Sequence, residues 1–159
     1  MAKAVKTNVM RRLDTEKIPY EVRTYPVDEE HLDGLHAAEM LGLDPLTVFK
    51  TLVLTGDRGQ HLVCVIPVGS ELDLKAVAQA SGHKSVSMLP LKELLPLTGY
   101  VRGGCSPIGM KKPFPTYVDE SAASLGEITF SAGARGCQVT LSPGALIRLT
   151  KGVYAPLCR

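Results

Sequence analysis

Two stretches hold the residues whose types and spacing could do chemistry. The first is VFKTLVLT at Val48 to Thr55, which sets Lys50 in an otherwise apolar run; the second is TGYVRGGCSPIGMKK at Thr98 to Lys112, unusually rich in glycine. In strand alternation Lys50 shares a face with Val48, Leu52 and Leu54, while Phe49, Thr51 and Val53 take the other. An ammonium among apolar neighbours must find a partner, snorkel to the sheet edge or give up its proton, because burying an unpaired charge is costly. Alternation alone leaves two readings open, a strand-end lysine reaching solvent and a functional lysine.

The glycine-rich stretch invites three motif matches, and chemistry decides each. Gly104 and Gly109 have the spacing of a phosphate-binding loop, but Met110 stands where the phosphate lysine belongs and Lys111 where a magnesium-binding hydroxyl belongs. Gly104, Cys105 and Ser106 begin a nucleophile-elbow pattern, but Ile108 replaces its second glycine and Pro107 has no N–H to donate to an oxyanion. Cys105 has no histidine near it in sequence to activate a thiol, so it reads as packing. What remains is a loop in which Gly103, Gly104 and Gly109 let backbone groups approach a ligand, stiffened by Pro107, or else a plain irregular connection.

The rest of the chain must position these groups. At 159 residues it has the length of one domain, taken here as residues 1–159, with 45% hydrophobic and 21% charged residues. There is no apolar run long enough for a membrane span and no apolar core to a leader at the N-terminus, so a cytoplasmic protein is expected. Cys64, Cys105, Cys137 and Cys158 form no C-x-x-C pair, and no metal or cofactor is expected. Eighteen Lys plus Arg against sixteen Asp plus Glu is too even for a protein that holds nucleic acid mainly by neutralising phosphates. His31 and His36, five apart, lack the spacing of a helical metal pair and read as surface residues.

Periodicity predicts an N-terminal helix through Val5, Val9 and Leu13 that ends before Pro19, with Lys3, Lys6 and Arg11 on its solvated side. A strand over Tyr20 to Tyr25 follows, then a helix capped by Asp33 with Leu35, Ala38 and Leu41 on one face. The strand at Val48 to Thr55 pairs with HLVCVIPV across GDRGQ. Asp73 caps a helix that Gly82 stops. SVSML, a short helix from Pro90, the strand TYVDE, the strands ITFS and CQVTLS joined by AGARG, and a helix from Ser142-Pro143 complete the chain. Short connections argue for antiparallel pairing in much of the sheet. The expected architecture is a mixed α/β (α+β) domain whose one sheet, strongly curved and barrel-like, is packed by helices.

Taken in order, FKTLVL, GYVRGGCSPIGMKK and SAGARG resemble the YbaK/EbsC family of bacterial aminoacyl-tRNA deacylases, relatives of the editing insertion of prolyl-tRNA synthetase. The resemblance covers nearly the whole chain. It implies a trans-editing enzyme that removes cysteine from mischarged Cys-tRNA(Pro), with prolyl-tRNA synthetase as a partner; an Ala-tRNA(Pro) deacylase and a non-catalytic nucleotide or amino-acid binding module are the alternatives. It places the family's lysine on Lys50, as the residue that positions the substrate. Substrate-binding roles fall on Tyr25, Thr51, Gly103, Gly104, Ser106, Pro107, Gly109, Ser131, Gly133 and Arg135. The family's mechanism uses the substrate's own thiol as nucleophile.

Overall fold

In the computed structural model, which describes residues 6–159, the central hairpin forms as its alternation requires. Strand β2 (Phe49–Gly56) runs antiparallel to β3 (His61–Pro67), with Lys50 opposite Ile66 and Thr51 opposite Val65. Their odd-numbered faces differ in destination from their even-numbered ones. Phe49 and Val53, with Val63 and Val65, enter the main core, while Leu54, Leu62, Cys64 and Ile66 pack against a second cluster on the other side.

Helix α1 (Asn8–Thr15) is capped by Thr7, whose hydroxyl accepts from Met10 N–H at 3.2 Å, and it buries Val9, Met10 and Leu13 in the main core. Val5 and Lys3, which the periodicity assigns to this helix, lie outside the described residues. Strand β1 (Glu21–Thr24) leads to α2 (Gly34–Leu41), which starts at the Asp33 cap and stops where Gly42 turns left-handed at φ 67°. The buried face of α2 is Ala37 and Ala38, not the expected Leu35, Ala38 and Leu41: Leu35 is 47% exposed. Small residues let the helix lie close to Val48 and Val68, which pack with Ala38, and this turns Leu35 outward.

Asp73 and Gly82 bound α3 (Leu74–Ser81) as predicted, followed by β4 (Val86–Met88), a 3-10 turn at Leu91–Glu93 and α4 (Leu94–Thr98). Strands β5 (Thr116–Asp119), β6 (Ile128–Ala134) and β7 (Cys137–Leu141) precede α5 (Pro143–Thr150), whose Ser142 cap accepts from Ala145 N–H. A last strand, β8 (Val153–Ala155), is not foretold by the sequence pattern; three residues are too few to show a period, and it exists because β5 offers a parallel edge.

The mixed α/β class holds, but the strands form two sheets rather than one. A three-stranded antiparallel sheet has the order β1-β7-β6, and a five-stranded mixed sheet has the order β4-β2-β3-β5-β8. They meet at one isolated parallel bridge, Val48 to Thr129. A register shift between Ser131 and Ala134 bulges β6 just beyond that bridge, and the added twist takes the strand out of line with β2. The main core fills the space enclosed by the sheets, with Ile128, Phe130, Val139 and Leu141 opposite Phe49 and Val65.

Candidate functional site

A cleft of about 560 Å³ opens on the second edge of β2. Val68 N–H donates to Val48 C=O at 2.9 Å, and peptide hydrogen bonds alternate along an antiparallel ladder. The even-numbered residues of β2 therefore turn their peptide groups to β3 and the odd-numbered ones outward. Val53 C=O accordingly accepts from Leu89 N–H at 3.0 Å. Thr51 comes next on that outward edge and has no strand partner there, because β4 pairs only with Leu54 to Gly56 and β6 bridges to Val48.

Four elements wall the cleft around this edge. Gly34, Leu35 and Ala37 of α2 form one side; Met88 and Leu89 at the end of β4, with Leu91 and Leu94, form another. The glycine loop contributes Arg102, Gly103 and Cys105, and the smaller sheet contributes Ser131 and Gln138, with Tyr25 beside them. Ser131 and Gln138 face one another in the β6–β7 register, so their side chains share a face.

The cleft's polar groups are short of partners. Lys50, half-buried, lies on its face between the Val48–Ala38–Val68 cluster and the Leu54–Leu62–Cys64 cluster. Among the described residues it makes no ion pair. Thr51 Oγ1 and Gln138 Oε1 are buried with no hydrogen-bond partner, a costly condition that a bound polar ligand would relieve. Burial raises the Tyr25 phenol above its usual range, with the Gln138 side chain and a Gly136 backbone hydrogen bond acting against it, so it stays a neutral hydroxyl near pH 7.

Candidate nucleophiles are disarmed. Burial pushes the Cys105 thiol up to about 12, which leaves almost no thiolate at neutral pH. Ser106 is fully buried, and its hydroxyl accepts from Ile108 N–H at 3.4 Å. His31 and His36 stack at the outer rim with ring centroids 5.1 Å apart, His31 Nδ1 lying 2.7 Å from Asp28. Neither is among the residues that line the cleft.

Of the residues singled out in the sequence, Tyr25, Lys50, Thr51, Gly103 and Ser131 line the cleft together. Gly104, Ser106, Pro107, Gly109, Gly133 and Arg135 are not among the residues that line it. A Cβ on Gly104 would lie 3.1 Å from Arg135 N and 3.3 Å from the Ala134 carbonyl carbon, so the loop is seated directly on the β6–β7 turn. Arg135 Nε donates to Arg102 C=O at 2.8 Å and ties the two together. Gly109 and Gly133, at φ 80° and 94°, both make room for Tyr100, whose hydroxyl donates to Ile108 C=O at 2.5 Å. Sequence reasoning missed Gln138 and Arg102. Gln138 sits in an alternating strand, and only its register with Ser131 marks it as facing the cleft.

A family profile described as "Aminoacyl-tRNA editing domain" matches residues 31–149. A protein of Enterococcus faecalis named as a candidate Cys-tRNA(Pro)/Cys-tRNA(Cys) deacylase, EbsC, is 49% identical over 96% of this chain and 93% of its own length. Proline–tRNA ligase of Trichlorobacter lovleyi is 26% identical over 60% of this chain, which corresponds to 16% of the ligase. A solved structure described as a candidate trans-editing enzyme for prolyl-tRNA synthetase superposes with a TM-score of 0.81 at 24% identity, over 96% of this chain and 98% of that one. The profile spans the β2 edge, the glycine loop and the β6–β7 turn that seats it, the parts from which the cleft is built, and the chain belongs to the aminoacyl-tRNA editing domain family.

Proposed function

We propose that this protein is an aminoacyl-tRNA deacylase that removes cysteine from Cys-tRNA(Pro), with the substrate's own thiol as nucleophile. The observation that carries this reading is a cleft in which Thr51 Oγ1 and Gln138 Oε1 lack partners and the thiol on its wall, Cys105, is held up to about 12 by burial. A substrate that brings its own nucleophile needs only to be held in the right pose. The name of the 49% identical relative, which includes both Cys-tRNA(Pro) and Cys-tRNA(Cys), supports a cysteinyl ester as substrate.

In this mechanism the cysteine sulfur attacks its own ester carbonyl carbon. The C–S bond forms, the C–O bond to the terminal ribose breaks, and the thiol proton ends on the released ribose oxygen. The product is a strained four-membered thiolactone that water then opens. Because the ring is strained, catalysis lies in orientation and in steadying the developing oxyanion. Lys50 supplies a cation at the cleft edge that positions the carbonyl or the terminal adenosine, and the outward peptide group of Thr51 lies beside it. Gln138 and Thr51 Oγ1 offer hydrogen bonds to polar groups of the aminoacyl end. Alanine lacks the reacting sulfur, so selection against it does not depend on the roughly 1 to 3 kcal/mol that a pocket gains from one methylene.

Prolyl-tRNA synthetase is the proposed partner, since a segment of that ligase in another organism is similar to this chain; acting on charged tRNA places the enzyme in the cytoplasm. Among the described residues no helix is long and apolar enough to cross a membrane. The test is the deacylation rate on Cys-tRNA(Pro) and Ala-tRNA(Pro), with and without Lys50→Ala. Faster release of cysteine that depends on Lys50 is expected. Faster release of alanine would overturn the substrate assignment, and no release above the spontaneous rate, with the synthetase present, would overturn the activity.

A further inference from the structure

The near-neutral total conceals two runs of opposite charge near the cleft. Between residues 84 and 115 the chain carries Lys84, Lys92, Arg102, Lys111 and Lys112 against one carboxylate, Glu93. The loop that leads into α2 carries Asp28, Glu29, Glu30 and Asp33 within six residues, and its Leu32 lies beside Gly103 of the glycine loop. The fold gathers the basic side into one ledge. Leu91 and Leu94 line the cleft with Lys92 between them. Lys111 lies along α4, its Nζ donating to Pro96 C=O at 3.4 Å and its stem against Gly99. Arg135, on the β6–β7 turn, donates to the backbone carbonyl of Arg102 in the glycine loop. Lys92, Arg102, Lys111 and Lys112 are exposed, and among the described residues none of them forms an ion pair.

We infer that this ledge, the 3-10 turn at Leu91–Glu93 with α4 and the far end of the glycine loop, is the docking surface for the phosphate backbone of the tRNA acceptor stem. Unpaired, exposed lysines beside a cleft suit phosphates, which need charge rather than shaped contact. The acidic run at Asp28 to Asp33 disfavours the same backbone over its own loop, so the stem is held to the ledge while its aminoacyl end enters at Thr51. The inference rests on the deacylase reading for the identity of the RNA, but it concerns a different surface and is tested by binding as well as turnover.

The test replaces Lys92, Lys111 and Lys112 together by glutamine, which keeps most of each stem and removes the charge. Dissociation constants for uncharged tRNA(Pro) are measured against salt, alongside deacylation of Cys-tRNA(Pro) and of cysteine esterified to a CCA trinucleotide, which lacks the duplex phosphates. The variant is expected to weaken tRNA binding roughly tenfold at low salt and to lower the slope of log Kd against log salt by about 2 to 3. Turnover of the trinucleotide ester should stay within about twofold. An unchanged slope and affinity would overturn the docking surface even if deacylation is robust, and would favour a protein partner on the exposed Leu91 and Leu95. A lost slope in a protein that deacylates neither ester would sustain the surface and overturn the deacylase reading instead.

Discussion

Lys50→Met separates a lysine kept for function from one kept for structure. The structure supplies both halves of the expectation. Lys50 is half-buried on an apolar face and has no ion-pair partner among the described residues, so removing its charge orphans no carboxylate. Methionine keeps nearly the same unbranched length and the same packing against the sheet. Stability should therefore hold within about 1 kcal/mol of the parent. Lys50→Ala additionally strips three methylenes of stem; at about 0.8 kcal/mol for each when fully buried, half burial gives a loss of about 1 kcal/mol. That corresponds to a fall in Tm of roughly 2 to 4 °C for a chain of this size. Both variants should lose deacylation of Cys-tRNA(Pro) by about 10² to 10³, the effect of removing one well-placed electrostatic contact. Urea unfolding followed by circular dichroism, together with single-turnover deacylation, reads both quantities. If Lys50→Met unfolded with more than about 2 kcal/mol of lost stability, or kept activity within threefold, the functional reading of the lysine would be refuted.

Three further outcomes follow from particular groups. Gln138→Leu removes a buried acceptor that has no partner together with the side-chain interaction with Tyr25, so the two changes offset and stability should stay within about 1 kcal/mol of the parent while kcat/KM falls at least tenfold; a destabilised variant with normal kinetics would contradict the assignment. Cys105→Ser should retain deacylation within about threefold, and because burial holds the thiol up to about 12, Cys105 should resist iodoacetamide at pH 7.5 in the folded protein. Rapid alkylation that tracks inactivation would revive a protein-thiol mechanism. Asp57 is held below its usual 3.8 chiefly by the hydrogen bond from His83, then by Lys84 N–H. A depressed folded-state value contributes stability that is fully present above about pH 4 and is lost as pH falls through that value, so Asp57→Asn should flatten the acid limb of a Tm against pH curve. An unaltered limb would dissociate the pair from acid stability.

Much of the fold is legible in the amino-acid sequence, and for local reasons. The caps at Asp33, Asp73 and Ser142, the stop at Gly82 and the hairpin from Phe49 to Pro67 each depend on residues close in the chain, and each forms where its chemistry places it. Lys50 stands out because a charge in an alternating apolar strand needs a reason, and the rejection of Ser106 and Cys105 as nucleophiles rests on missing neighbours that folding does not supply.

What tertiary structure alone decided is how separate strands meet. Whether the strands make one sheet or two turns on a bulge in β6, whose effect on β2 lies some eighty residues away in sequence. The open edge at Thr51 exists only because β4 and β6 stop short of it from opposite ends. Gln138 becomes a cleft residue through its register with Ser131, and Gly104 becomes a seat for the Ala134–Arg135 turn through contact across the fold. Caps, turns and alternation are written in neighbours along the chain; edges and registers arise between residues distant in it, and there the packing of two sheets made the cleft.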